Sequence, residues 1–341
     1  MDRISEFKAL LAQPKNIVIV THFKPDADAL GSTLGLAGYL RRKGHQVHPI
    51  TPSDYPGFLA WMPGHETVHA VQKDKPETLQ HARHLIGRAD VIFCLDFSSL
   101  KRIEDLESPV REASAVKVMV DHHLEPENFA KFSYWDVKCA STAQMIYELI
   151  VMLGERDLID NHIANCLYAG LMTDTGNFRH NNVTAREFQV AADLTALGAN
   201  PSEVARQIYD TNSVERLRLT GFVLSQRMHV LPEYNTVYMT LTAEEMRQHG
   251  SQTGDTEGLV NYGLSIKGIK MSVLMYDRKD EIKFSFRSLG DFSVNDLARK
   301  HFQGGGHRNA AGGSSKQSLQ EALQHFLSIL PEYKDALRKP I

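Results

Sequence analysis

The chain has 341 residues, 42% hydrophobic and 23% charged, an ordinary globular composition with enough length for two domains. Its 38 basic and 41 acidic side chains leave a formal net charge of -3, which excludes the basic excess of a protein that coats long nucleic acid. Cys94, Cys139 and Cys166 lie far apart in apolar surroundings with no CxxC pair, excluding a disulfide framework and a thiolate zinc site.

The opening MDRISEFKALLAQPK reads as a charged amphipathic helix rather than a signal peptide. No apolar run approaches the roughly 20 residues of a membrane span, so a soluble, cytoplasmic protein is expected. Three short aliphatic runs follow, Ile17 to Val20, Val91 to Leu95 and Val116 to Val120, without the polar alternation of a half-exposed strand. Such runs read as buried parallel strands. Helical patterns separate them at Leu30 to Arg42, Glu77 to Ala89 and Lys101 to Ala113, giving an α/β sheet with helices on its faces. Further helices are expected over Ser141 to Leu153 and Asn161 to Met172. Thr184 with Glu187, and Asn200 with Pro201 and Glu203, have the spacing of helix caps and capping boxes. The helical, charged stretch from 199 to 229 reads as a connector. Beyond it Thr236 to Thr242, Lys270 to Tyr276 and Glu281 to Arg287 look like strands of a smaller α/β domain. The expected division is 1–198, 199–229 and 230–341.

The chemistry collects at strand ends. The first aliphatic run leads into His22, Asp26 and Asp28, the second into Asp96, and the third into Asp121, His122 and His123. Ligands of open α/β sheets bind beyond the carboxyl ends of the strands, so three such ends carrying only His and Asp point at one place. Any one of these residues alone is more often a cap or a turn residue, and Asp28 is a candidate cap for a helix starting at Ala29. Together they would repel one another unless cations fill the cluster. A set of carboxylates and imidazoles without thiolate suits Mn²⁺ or Mg²⁺. A fourth acidic element, Thr173-Asp174-Thr175-Gly176, ends an apolar helix and by itself reads as a turn. Gly31, Gly35 and Gly38 recur at helical spacing, which predicts close packing of that helix against the sheet. Trp61 is a candidate base-stacking residue, although packing is the commoner role; His81 and His84 have helical spacing but no evident partner.

His22-x-x-x-Asp26-x-Asp28, Asp96, Asp121-His122-His123 and Asp174, in that order, resemble the four motifs of the DHH phosphoesterase superfamily. Gly304-Gly305-Gly306-His307-Arg308-Asn309-Ala310-Ala311-Gly312 resembles the signature of the DHHA1 domain, and Phe284 to Ser288 is similar to that domain's Arg-Ser strand. The match covers nearly the whole chain, and its length and domain pair look like the bacterial nanoRNase (oligoribonuclease)/pAp phosphatase group. Family II pyrophosphatases share only the front half and lack the GGGH element.

The resemblance implies a Mn²⁺-dependent phosphodiesterase that cuts short RNA to mononucleotides and removes the 3′-phosphate of 3′-phosphoadenosine 5′-phosphate (pAp). It implies two Mn²⁺, with Mg²⁺ or Co²⁺ as substitutes: His22, Asp26 and Asp96 hold one, and Asp28, Asp96, His122 and Asp174 the other. His123 would face the phosphate and Asp121 would orient an imidazole. Arg287, Ser288, Gly304, Gly305, Gly306 and His307 would bind the substrate, in a cleft between the domains. Expected partners are short RNA oligonucleotides and small nucleotides such as pAp, with no long duplex nucleic acid and no membrane; a homodimer is among the oligomeric states left open. The alternatives are a phosphodiesterase of linear or cyclic dinucleotides (pApA or c-di-AMP type), a pyrophosphatase or polyphosphatase, and a non-catalytic nucleotide-binding regulator.

Overall fold

Aliphatic runs with no polar face can be satisfied only by burial on both sides, and the structure buries the first two throughout and the third from Val118 to Val120. The computed structural model describes residues 3–180, 182–278 and 281–340. The chain divides after Thr211 into two compact units.

In the first unit, helix α1 (Ile4–Leu10) precedes β1 (Asn16–Thr21), α2 (Ala27–Arg42), β2 (Gln46–Thr51), the two-residue β3 (His69–Ala70), α3 (Pro76–Gly87) and β4 (Val91–Leu95). A kinked 3₁₀ segment, Leu100–Leu106, leads into α4 (Glu107–Glu112), where one continuous helix had been expected. Then come β5 (Val116–Asp121), β6 (Phe132–Trp135), α5 (Thr142–Met152), α6 (Asn161–Asp174), α7 (Ala185–Ala196) and α8 (Pro201–Tyr209). The sheet is parallel throughout, in the order β3-β2-β1-β4-β5-β6. Residues 17 to 20 and 91 to 95 are fully buried.

Two local readings are corrected. The cap of α2 is Asp26, not Asp28: Asp26 Oδ1 accepts the Asp28 and Ala29 amides at 3.0 Å each, and the helix starts at Ala27. The glycines of α2 face α6 rather than the sheet. A Cβ on Gly35 would lie 2.5 Å from the Leu167 side chain, one on Gly38 2.8 Å from Ile163, and one on Gly31 would overlap the Cys166 carbonyl. Small residues at one helical spacing let the two backbones approach, which brings Asp28 toward the middle of α6. The expected capping box of α7 is present at Thr184 and Glu187. At α8 Asn200 caps, but Glu203 turns to Arg206 and Gln207 instead of returning to the cap.

The stretch expected as a connector is helical and is shared between the units. Its first part is α8; its second is α9 (Val214–Phe222), which ends in a π-helical turn, Val223–Arg227. The second unit continues with β7 (Met228–Leu231), β8 (Thr236–Leu241), α10 (Ala243–Gln248), α11 (Leu259–Leu264), β9 (Met271–Arg278), β10 (Glu281–Ser288), α12 (Val294–His301), β11 (Gly305–His307), β12 (Ala310–Ser315) and α13 (Leu319–Arg338). Its sheet runs β11-β12-β10-β9-β8-β7, antiparallel except between β8 and β9. Phe284, Phe286, Phe302 and Phe326 fill its core. Among the described residues, no helix is long and apolar enough to cross a membrane.

Candidate active site

The first sheet reverses its winding between β1 and β4, and the crevice at the carboxyl ends of two such strands is where open α/β sheets bind ligands. His22 follows β1, Asp96 follows β4, Asp121 ends β5, and His122 and His123 come next. Asp26 and Asp28 stand at the N-terminus of α2, and Asp174 is the last residue of α6. All but Asp26 and Asp174 are buried.

Asp96 is the hub. Its Oδ2 lies 3.4 Å from His22 Nε2, and its Oδ1 lies 3.5 Å from His122 Nε2 and 3.7 Å from His123 Nδ1. Two sets of potential ligand atoms, one from His22, Asp26 and Asp96 and one from Asp28, Asp96 and His122, each fall within 4.8 Å of one another, with Asp96 in both. Asp174 joins at the edge, its Oδ2 3.2 Å from His122 Nε2. Asp121 Oδ1 takes His123 Nδ1 at 2.8 Å, while its buried Oδ2 has no hydrogen-bond partner. Asp96 itself adopts φ +66°, a left-handed conformation that Asp tolerates better than most residues, at a cost of about 1–3 kcal/mol. That twist accompanies the turn of the chain at the strand tip.

Two imidazoles are fixed by backbone carbonyls. His22 Nδ1 lies 3.0 Å from the Phe23 oxygen and His122 Nδ1 lies 3.1 Å from the Cys139 oxygen. A carbonyl can only accept, so each Nδ1 carries the proton and each Nε2 is directed at the carboxylates, the arrangement found around metal-binding histidines. The N-terminus of α5 holds the other side of the cluster. The Thr142 and Ala143 amides donate to Asp28 Oδ2 and Oδ1 at 2.7 and 2.9 Å, and Thr142 Oγ1 donates to Asp96 Oδ1 at 2.8 Å. Sequence reasoning missed this role of Ser141-Thr142-Ala143. The helix start was visible, but the partner of its amides lies 114 residues away.

The electrostatics describe a cluster short of positive charge. Burial, then the neighbouring Asp96 and Asp174, hold the Asp28 carboxyl well above the ordinary range. Burial also raises Asp26, with Asp96 and Asp174 adding to it against the pull of His22. Burial would raise Asp96 as well, but His122, His22 and His123 bring it well below its ordinary value. His122 is raised well above its ordinary value by Asp174 and Asp96, against burial. Histidines face the carboxylates: His22, His122 and His123 lie near Asp96, His122 near Asp28 and Asp174, and His123 near Asp121. A bound cation would relieve the mutual repulsion of these buried carboxylates. The donors are oxygen and imidazole nitrogen, while the Cys94 and Cys166 thiols are pushed up by burial, Cys166 to about 12. The residues therefore fit a hard or borderline divalent metal ion.

The residues expected to bind substrate lie in the second unit. Arg287, on β10, donates from Nη1 to the Phe286 carbonyl at 3.0 Å. Ser288 is buried; its Oγ donates to the Phe292 carbonyl at 2.6 Å and accepts from Asn309 Nδ2 at 2.8 Å, so it stitches the hairpin tip to the loop after β10. The GGGH element is extended. Gly305 to His307 form β11, at the edge of the sheet and paired only with β12. Gly306 has φ +148° and a Cβ there would press on Ala310 and Ala311, so its glycine serves the close pairing of the two strands. Trp61 packs against the core of the first unit, and His81 lies against His69, with ring centres 4.6 Å apart.

Comparison with known proteins agrees with these motifs. The model of the DHH family N-terminal domain matches residues 16–171, and that of the DHHA1 domain matches residues 234–334. The bifunctional oligoribonuclease and PAP phosphatase NrnA of Thermus thermophilus is 31% identical over 317 residues, covering 93% of this chain and 89% of its own. The protein of the same name from Bacillus subtilis is 29% identical over 303 residues, covering 87% and 88%. The crystal structure of an exopolyphosphatase-related protein from Bacteroides fragilis matches with a TM-score of 0.91 at 38% identity, over 98% of this chain and 97% of that one. With its motif residues gathered at one sheet edge and its relatives matching end to end, the chain belongs to the DHH/DHHA1 phosphoesterase superfamily, in the group of the bacterial oligoribonuclease/pAp phosphatases.

Proposed function

We propose that the protein hydrolyses short RNA oligonucleotides to mononucleotides and removes the 3′-phosphate of pAp, using two Mn²⁺ for which Mg²⁺ or Co²⁺ can substitute. The observation that carries this reading is Asp96, common to two adjacent sets of oxygen and nitrogen donors in a buried cluster. His22, Asp26 and Asp96 would hold one ion; Asp28, Asp96, His122 and Asp174 would hold the other. When bound, the pair supplies Lewis-acid charge against phosphoryl oxygens and lowers the pKa of water into the neutral range.

The chain's own groups do the rest. Asp121 fixes Nδ1 of His123, so that the opposite ring nitrogen is oriented to hydrogen-bond a phosphoryl oxygen and to move a proton there. The carbonyls of Phe23 and Cys139 keep His22 and His122 in the coordinating tautomer. Arg287 and the Gly304–His307 strand of the second unit bind the nucleotide through charge-assisted and backbone hydrogen bonds, with Ser288 holding that strand's hairpin in place.

A product assay tests the proposal. Metal-free protein is supplied with Mn²⁺, Mg²⁺ or Co²⁺ and given di- to pentanucleotides, a 24-mer, pAp, cyclic and linear dinucleotides, and pyrophosphate in parallel. Mononucleotides from the short series and AMP from pAp, with a steep fall at the 24-mer, are expected. Turnover of pyrophosphate alone would overturn the reading, and turnover of only the dinucleotide substrates would replace it with a dinucleotide phosphodiesterase.

A further inference from the structure

Trp135 stands at the carboxyl end of β6, in register with Asp121 on the neighbouring strand. Its indole Nε1 donates to the main-chain oxygen of His123 at 2.7 Å. Its side chain is nonetheless 43% exposed, among the largest exposed hydrophobic residues of the described chain. Tryptophan is usually well buried, because leaving that much apolar surface in water forfeits burial free energy. Here one edge is pinned to the backbone of a site residue while a large part of the ring stays exposed. Leu124, which follows His123, and Val137, two residues beyond the tryptophan, are also exposed, at 40% and 44%. The residues that follow His123 and Trp135 thus add exposed apolar groups to the exposed indole.

We propose that Trp135 is a specificity-determining residue on which a nucleobase of the substrate stacks, next to the phosphate-facing His123. This rests on the nucleotide substrate proposed above. The single hydrogen bond of the indole fixes the ring's orientation before substrate arrives, so little freedom remains to be lost on binding. Every base has a π-face, so the contact tolerates any sequence, as suits an enzyme of short oligomers. It also distinguishes nucleotides from base-free phosphoesters of equal charge. The parallel register with Asp121 sets the backbone at Trp135 one strand spacing, about 4.8 Å, from the end of the strand that leads into His123.

The chain has two tryptophans, so in a Trp61→Phe background the fluorescence reports on Trp135 alone. With Mg²⁺ present, AMP is expected to quench that emission, and ribose 5-phosphate, which lacks the base, is not. Trp135→Ala should raise KM for dinucleotides and pAp roughly five- to hundredfold, the range found when a stacked aromatic is lost. Trp135→Phe keeps a ring but no N–H, and should stay within about threefold of wild type in KM. Equal quenching by AMP and ribose 5-phosphate overturns the proposal. So does an unchanged KM in Trp135→Ala. Equal loss of kcat in both variants at constant KM overturns it too, since that assigns the indole only to positioning His123. If the wild-type protein turns over no nucleotide at all, the functional reading fails, while the AMP titration still decides whether the ring binds a base.

Discussion

Thr142→Val isolates one contact. The Thr142 hydroxyl donates to Asp96 Oδ1 at 2.8 Å with both residues buried, while the amide of the same residue independently holds Asp28. Valine keeps the shape, the amide and the Ser141 cap of α5. Only the hydroxyl is lost. A hydrogen bond to a charged acceptor contributes about 1.5–3 kcal/mol. Partners that orient a metal-holding group typically change metal affinity by about 10- to 100-fold, or about 1.4–2.8 kcal/mol, so two independent routes give the same magnitude. Calorimetric Mn²⁺ titration of metal-free protein should therefore show affinity weakened about tenfold or more. The metal concentration for half-maximal activity should rise by the same factor, with kcat at saturating metal within about threefold of wild type. Thr142→Ser, which keeps the hydroxyl, should restore most of the affinity. A folded Thr142→Val protein whose half-saturation stays within twofold of wild type would show that this hydroxyl does not orient Asp96, and the geometric reasoning would fail.

Asp96→Ala should leave less than a tenth of wild-type turnover on a Mn²⁺-saturated dinucleotide with the far-ultraviolet dichroism unchanged, since Asp96 belongs to both donor sets; greater activity removes its bridging role. Gly170→Ala should destabilise the first unit by roughly 1–3 kcal/mol in denaturant titration and lower metal affinity together, because the added methyl would lie 2.6 Å from both Asp28 Oδ1 and the Ala143 side chain; unchanged metal affinity would show that Asp28 can move aside without consequence. Glu155 accepts from Lys43 Nζ at 2.7 Å and from the Tyr39 hydroxyl, and these partners hold its carboxyl below the ordinary value of 4.5, against burial. A carboxyl lowered by folding stabilises above its unfolded pKa and loses that contribution as pH falls through its folded one. The stability gap between wild type and Glu155→Gln, read by urea unfolding, should accordingly be full near pH 7 and close below about pH 4; a gap that widens in acid contradicts the assignment.

The sequence announces those parts of the fold whose physics is local. Ile17–Val20 and Val91–Leu95 are strands because nothing in them can face water, and Val116–Val120 follows the same rule apart from Lys117, whose Nζ reaches the Ala113 carbonyl. The charged groups that follow are legible as one site because strand ends of a parallel sheet share an edge. β2 is less legible: Gln46-Val47-His48-Pro49-Ile50-Thr51 contains polar residues and a proline. Pro49 is tolerated because β3 pairs with β2 only at Ile50 and Thr51, so no ladder bond is asked of it on that flank. Short edge strands such as β3 and β6 carry too few residues to show a period. Asp28 shows a different limit. A carboxylate at a helix start reads as a cap, but here its neighbour Asp26 caps and Asp28 accepts the amides of another helix. Spacing cannot report that choice, because the amides Asp28 meets belong to α5, more than a hundred residues along the chain. Trp135 likewise gives no signal in the sequence. Its neighbour His123 lies twelve positions earlier, and only the β5–β6 register brings the two together.

The cluster draws its donor groups from β1, α2, β4, β5 and α6, a span from His22 to Asp174 that takes in most of the first unit. No fragment of the chain contains a full set at close sequence range, so the unfolded protein offers a divalent ion little to hold. Cation binding is thereby linked to the cooperative folding of the whole unit rather than to the ordering of a loop. At a hundredfold excess over the dissociation constant, a ligand of the folded state alone adds about 2.7 kcal/mol to stability. That is a sizeable share of the few kcal/mol by which a domain stays folded. Chelation is then expected to lower the stability of the folded unit as a whole rather than to free one loop.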